Sequence, residues 1–121
     1  SDKEVVKRIA KFGNTTVRHR LVQAVWDKPD VLYSCIPYLS ASDIEKLLSH
    51  PSMDICVQAA LHGNQEQCKR ALTMTANTKD ILLAFMRDDL IERMRELEKV
   101  DNAINFGKTI TRKKQEMELS T

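Results

Sequence analysis

Apolar residues recur three and four positions apart along most of this 121-residue chain. That spacing places them on one face of a helix, and no segment alternates apolar and polar residues as a half-buried strand does. Residues that end helices follow several of these stripes, as at Gly13-Asn14, His50-Pro51 and Gly63-Asn64. The pattern therefore predicts an all-α protein of about seven helices.

The C-terminal stripe is the longest. Apolar residues continue at helical spacing from Lys79 to about Val100, which predicts a helix longer than the others. Residues 106–121 carry four basic and few apolar side chains. Such a segment buries too little surface to offset its ordering entropy. We predict one helical domain over residues 1–105 and a basic, partly disordered tail over residues 106–121.

Local signals also predict where helices begin. Thr15 or Thr16 is placed to cap the second helix, because each follows the Gly13-Asn14 stop. Ser42 and Glu45 have the spacing of a capping box ahead of a further apolar stripe.

Two parts of the chain are alike when they are aligned with an offset of about 38 to 40 residues. Val6 then aligns with Ile44, and Val17 aligns with Ile55. Each part holds two or three short helices that cannot cover their own apolar faces, so the parts must stack on each other. The alignment predicts a short, right-handed bundle similar to an α-solenoid.

Two segments of these parts, TTVRHRLVQAV and HPSMDICVQAALHGN, resemble the second-helix signature of HEAT-type repeats. In that signature a polar or Pro-containing turn leads into Asp or Thr, a β-branched residue, a polar residue and then Leu, Val or Ala positions. The ending AALHGN is also similar to the leucine-rich-variant helical repeats of bacteria. The resemblance covers residues 5–75; it departs from the pattern at Cys56, which replaces an Arg, and over residues 79–100, which form no clean third copy. It implies a stack of helices that binds other molecules through its surface.

Charge is distributed unevenly along the chain. The net charge is +4 over residues 1–28, −4 over residues 29–105 and +2 over residues 106–121. Basic ends can contact acidic protein surfaces or phosphates, whereas charges on helices are more often simply solvated.

Candidate chemistry is sparse. The Cys and His residues lack the close ligand pair of a structural zinc site, and Cys35, Cys56 and Cys68 lie in apolar stripes, which favours buried, reduced thiols in a cytoplasmic protein. Asp88, Asp89 and Glu92 can hold a divalent ion, but that spacing more often marks a solvated helix face. No phosphate-binding glycine loop, nucleophile elbow or apolar run of about 18 residues occurs. We expect no enzyme, no metal, no cofactor and no membrane partner.

The first hypothesis is a non-enzymatic interaction or adaptor module whose stacked helices bind another protein. Its candidate contacts lie on one predicted face: Arg18, Arg20, Gln23, Trp26, Gln58, His62 and Gln67. Trp26 can equally be a core residue. The alternative is an accessory protein that binds nucleic acid through phosphate contacts from the basic N-terminal helices and tail. Those candidates are Lys7, Arg8, Lys11, Arg112, Lys113 and Lys114.

Overall fold

The computed structural model of the protein describes residues 2–119. Within that range the chain forms seven α-helices and one 3₁₀ turn, and none of these residues is in a strand. The helices are α1 (Asp2–Phe12), α2 (Thr15–Ala24), α3 (Pro29–Cys35), α4 (Ala41–Leu47), α5 (Met53–Leu61), α6 (Gln65–Met74) and α7 (Ile81–Leu119), and the 3₁₀ turn is Ile36–Tyr38. The predicted all-α class and the longer C-terminal helix are confirmed.

Two asparagines cap the helices that follow the Gly-Asn turns. The Oδ1 atom of Asn14 accepts a hydrogen bond from the Val17 amide at 2.9 Å, and Asn64 does the same for Gln67 at 2.8 Å. The Oε1 atom of Gln67 in turn accepts a hydrogen bond from the Asn64 amide, which completes a capping box. The prediction that Thr15 or Thr16 caps α2 is wrong, because both residues lie inside the helix that Asn14 begins.

The predicted capping box at Ser42 and Glu45 is also wrong. Helix α4 begins at Ala41 after Ser40, which places Ser42 in the first turn rather than at the cap. The Ser42 hydroxyl instead lies 3.1 Å from the Ser40 hydroxyl, and Glu45 binds residues of α6. Helix α4 therefore begins two residues earlier than the motif requires.

Helix α5 lies at the centre of the molecule and contributes to two hydrophobic clusters through opposite faces. Ile55 and Ala59 belong to the first cluster, with residues of α2, α3 and α4, while Val57 and Ala60 belong to the second, with residues of α6 and α7. Five of its nine residues are buried. The small Ala side chains allow neighbouring helices to approach closely on both sides.

The remaining helices are arranged around α5 in a regular order. Packing contacts link α1 to α3, α3 to α5, and α5 to α7. The even-numbered helices are joined by polar side chains: His19 of α2 hydrogen-bonds Asp43 of α4, and Glu45 of α4 accepts from Gln67 and Arg70 of α6. The odd-numbered helices therefore pack side by side, and polar bridges connect the others.

The structural elements that match most closely are 50 residues apart, not 38 to 40. Helices α2 and α6 each have ten residues, begin at an asparagine cap and end at a residue with nearly the same backbone angles, φ −108° and ψ 12° at Val25 against φ −106° and ψ 10° at Thr75. In the turns before these two helices, a Cβ atom added to Gly13 would crowd the Val17 side chain, and one added to Gly63 would crowd the Gln67 side chain. The offset of 38 to 40 would pair α1 with the shorter α4.

Helix α7 is 39 residues long and extends beyond the other helices. Its cap is Asp80, whose Oδ1 accepts from the Leu82 amide at 2.9 Å. The helix continues through residue 119, so it includes most of residues 106–121, for which the sequence predicts a partly disordered tail; Ser1, Ser120 and Thr121 lie outside the described residues. All described residues from 98 onward are exposed.

Candidate interaction groove

The N-terminal ends of α1, α3, α5 and α7 surround an open groove of about 480 Å³. These ends meet on one side of the molecule because the four helices pack side by side. The groove is lined by Lys3 of α1, by Pro29, Asp30 and Tyr33 of α3, by Ser52, Asp54 and Ile55 at the start of α5, and by Leu82, Phe85, Met86 and Asp89 of α7. Side chains from four helices thus meet around one concave surface.

Large apolar side chains stand open to solvent in this groove. Leu82 is 72% exposed, Phe85 is 67% exposed and Tyr33 is 43% exposed. Helix α7 already buries Leu83 and Leu90 on another face, so it carries more apolar residues than its packing requires. Exposed apolar residues that cluster beside a groove mark binding surfaces more often than isolated ones do.

The groove is also acidic. Asp30, Asp54 and Asp89 contribute three carboxyl groups, and Lys3 contributes one ammonium group. Asp30 and Asp54 lie in the first turns of their helices, where the helix dipole favours negative charge. Asp89 lies beyond the first turn of α7, so this dipole does not account for its position. The charge of the groove would attract Lys and Arg side chains.

Four of the seven residues predicted to contact a partner are held by contacts within the molecule. The Arg18 guanidinium donates to the carbonyls of Ala10 and Lys11 and so caps the C-terminal end of α1. Gln67 is buried in the capping box and donates to Glu45. The Gln58 side chain accepts a hydrogen bond from the Tyr33 hydroxyl at 3.0 Å, which places it beside the groove.

The Trp26 side chain packs against the first hydrophobic cluster. Its ring centroid lies 4.6 Å from that of His50, and the His50 Nε2 atom lies 3.0 Å from the Trp26 carbonyl oxygen. Because His50 Nδ1 accepts from the Ser52 amide, Nε2 carries the proton and donates. The geometry favours the core interpretation of Trp26.

The other three predicted contacts, Arg20, Gln23 and His62, are exposed. Partial desolvation and the nearby Arg93 guanidinium lower the pKa of His62, which keeps its imidazole neutral near pH 7. None of the three lines the groove.

The predicted phosphate contacts are divided between two distant elements. Lys7, Arg8 and Lys11 are exposed on α1, whereas the other group, Arg112, Lys113 and Lys114, is exposed near the far end of α7. Lys11 lies over the Phe12 ring, with its Nζ 5.5 Å from the centroid. Nucleic-acid binding stays a prediction.

In comparisons with protein-family models, curated proteins and solved structures, the chain matches none of them. The interpretation of the groove therefore depends on its geometry.

No helix among residues 2–119 is long and apolar enough to span a bilayer. That part of the chain also holds no group of three or more His, Cys, Asp or Glu side chains placed to bind a metal. Asp88, Asp89 and Glu92 are exposed on α7, and Glu92 lies 3.9 Å from Arg95.

Cys35, Cys56 and Cys68 are buried, as the apolar stripes predict. Their thiols donate to the backbone carbonyls of Val31, His50 and Ala60, respectively. Burial raises the pKa of all three thiols above the ordinary value.

We therefore expect all three thiols to react slowly with iodoacetamide in the folded protein at mildly alkaline pH, because the thiolate is the reactive form. The same thiols should react rapidly in denaturant. Intact-mass spectrometry at successive times counts the modified residues. A thiol that is alkylated in the folded protein as fast as free cysteine would contradict its buried placement.

Sequence reasoning did not single out Tyr33, Leu82 or Phe85 as binding residues. It assigned Leu82 and Phe85 to one stripe together with Leu90. A signal was present, because all six residues from 81 to 86 are apolar, and one helix face cannot bury them all. The excess indicates a second surface for α7.

Proposed function

We propose that this protein is a non-enzymatic interaction module that binds an apolar, basic segment of a partner protein in the groove. The observation that carries the proposal is the exposure of Leu82 and Phe85 beside three carboxyl groups. Apolar anchors supply most of the affinity in protein interfaces, and charge complementarity selects the partner and speeds association. A peptide with two apolar anchors and flanking Lys or Arg residues fits both features.

The arrangement of the helices supports the expected role of a short α-solenoid. Odd-numbered helices pack in sequence order, and α2 resembles α6 in length and capping. Side-by-side packing holds the four helix ends that form the groove in fixed relative positions. A rigid groove loses little conformational entropy when a partner binds. The right-handed twist and the similarity to HEAT-type repeats stay predictions.

The proposal is tested with two synthetic helical peptides that differ only in charge. Both carry Leu and Phe one helical turn apart; one has Lys and the other has Glu at the flanking positions. We expect the Lys peptide to bind, with an affinity that falls as salt is added, and the Glu peptide to bind at least about tenfold more weakly. Isothermal titration calorimetry measures both.

Two variants locate the binding site. Phe85→Ser and Asp89→Lys should each weaken binding of the Lys peptide at least about tenfold. Phe12→Ser is the matched control, because Phe12 is 77% exposed but does not line the groove, and it should leave the affinity unchanged. Equal binding of the two peptides, or equal loss in Phe12→Ser and Phe85→Ser, would show that the groove is not the binding surface.

A further inference from the structure

Helix α1 carries a row of apolar residues that stands open to solvent beside its packed face. Val6 packs against the first hydrophobic cluster and Ala10 is buried. Val5, Ile9 and Phe12, by contrast, are 57%, 40% and 77% exposed. They lie four and three positions apart, so they share one face of the helix, about 100° around its axis from the packed residues. We call these three residues the α1 stripe.

The position of α1 in the fold explains why the α1 stripe is uncovered. The odd-numbered helices form a row, α1 stands at one end of that row, and its main packing partners are α2 and α3. Helices at the ends of such stacks normally have a polar outer surface, because exposed apolar faces promote association. Helix α1 therefore has more apolar surface than its own packing uses.

The α1 stripe borders a small recess between α1, the end of α2 and the start of α3. The recess has a volume of about 180 Å³ and is lined by four valines and one residue of each charge: Asp2, Val5, Val6, Val25, Lys28 and Val31. Pockets for drug-sized ligands are larger, from about 300 Å³. The recess has the size of a hole that receives one apolar side chain of a packed helix. It fits a partner helix better than a small molecule or the flat surface of a bilayer.

Basic side chains border the α1 stripe at its Phe12 end. The acidic residues of α1, Asp2 and Glu4, lie in the first turn, and the helix has no carboxyl group after them. Arg8 is exposed one helical turn before Phe12, and the Lys11 ammonium lies over the Phe12 ring. The charge at this end is therefore positive, opposite to that of the groove, and it would attract Asp and Glu side chains.

We propose that the α1 stripe docks an amphipathic helix of a partner protein whose Asp or Glu residues face Arg8 and Lys11. Apolar side chains of that helix cover the stripe, and one of them enters the recess. None of the three stripe residues lines the groove, and the two surfaces select partners of opposite charge. The inference is thus independent of the proposed function and gives the molecule a second docking surface.

Two labelled helical peptides that differ only in charge test this docking. Each carries three Leu residues with the four-and-three spacing of the α1 stripe, one more anchor than the peptides designed for the groove. The three-anchor peptide has two Glu residues in the turn that faces Arg8 and Lys11, and its control has two Gln residues there. We expect the three-anchor peptide to bind at least about tenfold more tightly than its control, with an affinity that falls as salt is added. Fluorescence anisotropy measures both.

Four variants locate the binding site. Phe12→Ser and Arg8→Glu should each weaken binding of the three-anchor peptide at least about tenfold. Lys7→Glu is the matched control for charge, because Lys7 is exposed on the opposite side of the same helix, and physiological salt screens distant charges. Phe85→Ser is the control for the groove. Both controls should bind like the wild type, and far-UV circular dichroism checks that each variant keeps its helices.

Equal affinity of the three-anchor peptide and its Gln control would overturn the proposal, as would equal loss in Arg8→Glu and Lys7→Glu. Loss of binding in Phe85→Ser but not in Phe12→Ser would place the peptide in the groove instead. Binding to phosphatidylserine vesicles that Phe12→Ser abolishes would assign the α1 stripe to a membrane. A dimer in sedimentation velocity that Phe12→Ser dissociates would assign it to a second copy of the chain. Either of these last two results, without binding of the three-anchor peptide, overturns the proposal and leaves the Lys-peptide test of the groove unaffected.

Discussion

Leu90→Ala should lower the free energy of unfolding by about 3 kcal/mol, whereas Leu82→Ala should change it by less than about 0.5 kcal/mol. The two leucines lie eight residues apart on the same helix, but Leu90 has no exposed surface and Leu82 is 72% exposed. Truncation of Leu90 removes buried methyl groups and leaves a cavity in the second hydrophobic cluster. Truncation of Leu82 changes only solvated surface in the monomer.

Urea unfolding followed by far-UV circular dichroism measures both changes. The pair also separates stability from binding, since Leu82 lines the groove. We expect Leu82→Ala to weaken binding of the Lys peptide without loss of stability. Leu90→Ala should lower the stability without weakening that binding. Similar destabilisation by the two variants would mean that α7 does not pack through the Leu90 face.

His19→Ala should lower the free energy of unfolding by about 2–3 kcal/mol, although His19 is partly exposed. The reason is its partner: Asp43 has no exposed surface, and its carboxyl group binds His19 Nδ1 through one oxygen and the Ser40 hydroxyl, at 3.0 Å, through the other. Removing the imidazole leaves a buried carboxyl oxygen without its hydrogen-bond partner. That bond also joins α2 to α4.

A double-mutant cycle distinguishes this bond from simple packing. If Asp43 is replaced as well, no buried carboxyl group is left without its partner. The double variant, His19→Ala with Asp43→Ala, should therefore lose less free energy of unfolding than the sum of the losses in the two single variants. Glu45→Gln is the comparison, because Glu45 also bridges two helices but does so in solvent, and we expect no resolvable loss there. Additive losses at His19 and Asp43 would show that the two side chains do not depend on each other.

The sequence predicted those features that depend on neighbours along the chain. The 3.6-residue spacing of apolar positions identified the helices, and the same spacing placed Cys35, Cys56 and Cys68 in the core. Both depend on which face of a helix a residue occupies, and that is set within a few residues. Cap positions were less certain, since Asn14 and Thr15 are both good caps and one-residue shifts are close in energy.

The contacts of the polar residues could not be predicted in this way. Arg18 and Gln67 are polar residues of the kind found on binding surfaces. In the structure they instead donate hydrogen bonds to a backbone carbonyl of α1 and to the Glu45 side chain of α4, respectively. The burial of Asp43 was equally hidden, because an Asp in a first helical turn is normally solvated. A polar side chain can bond to water or to protein with similar net energy, so its surroundings decide between them.

The local pattern of apolar and polar residues was thus sufficient to determine that this chain is helical and which residues are available for its core, because helix periodicity is a property of adjacent turns. The groove has a different origin. Lys3, Asp30, Asp54 and Phe85 are far apart in the sequence, and they meet because four helices pack side by side. That packing also determines that α7 buries Leu90 and leaves Phe85 exposed, since neighbouring helices cover only one side of it.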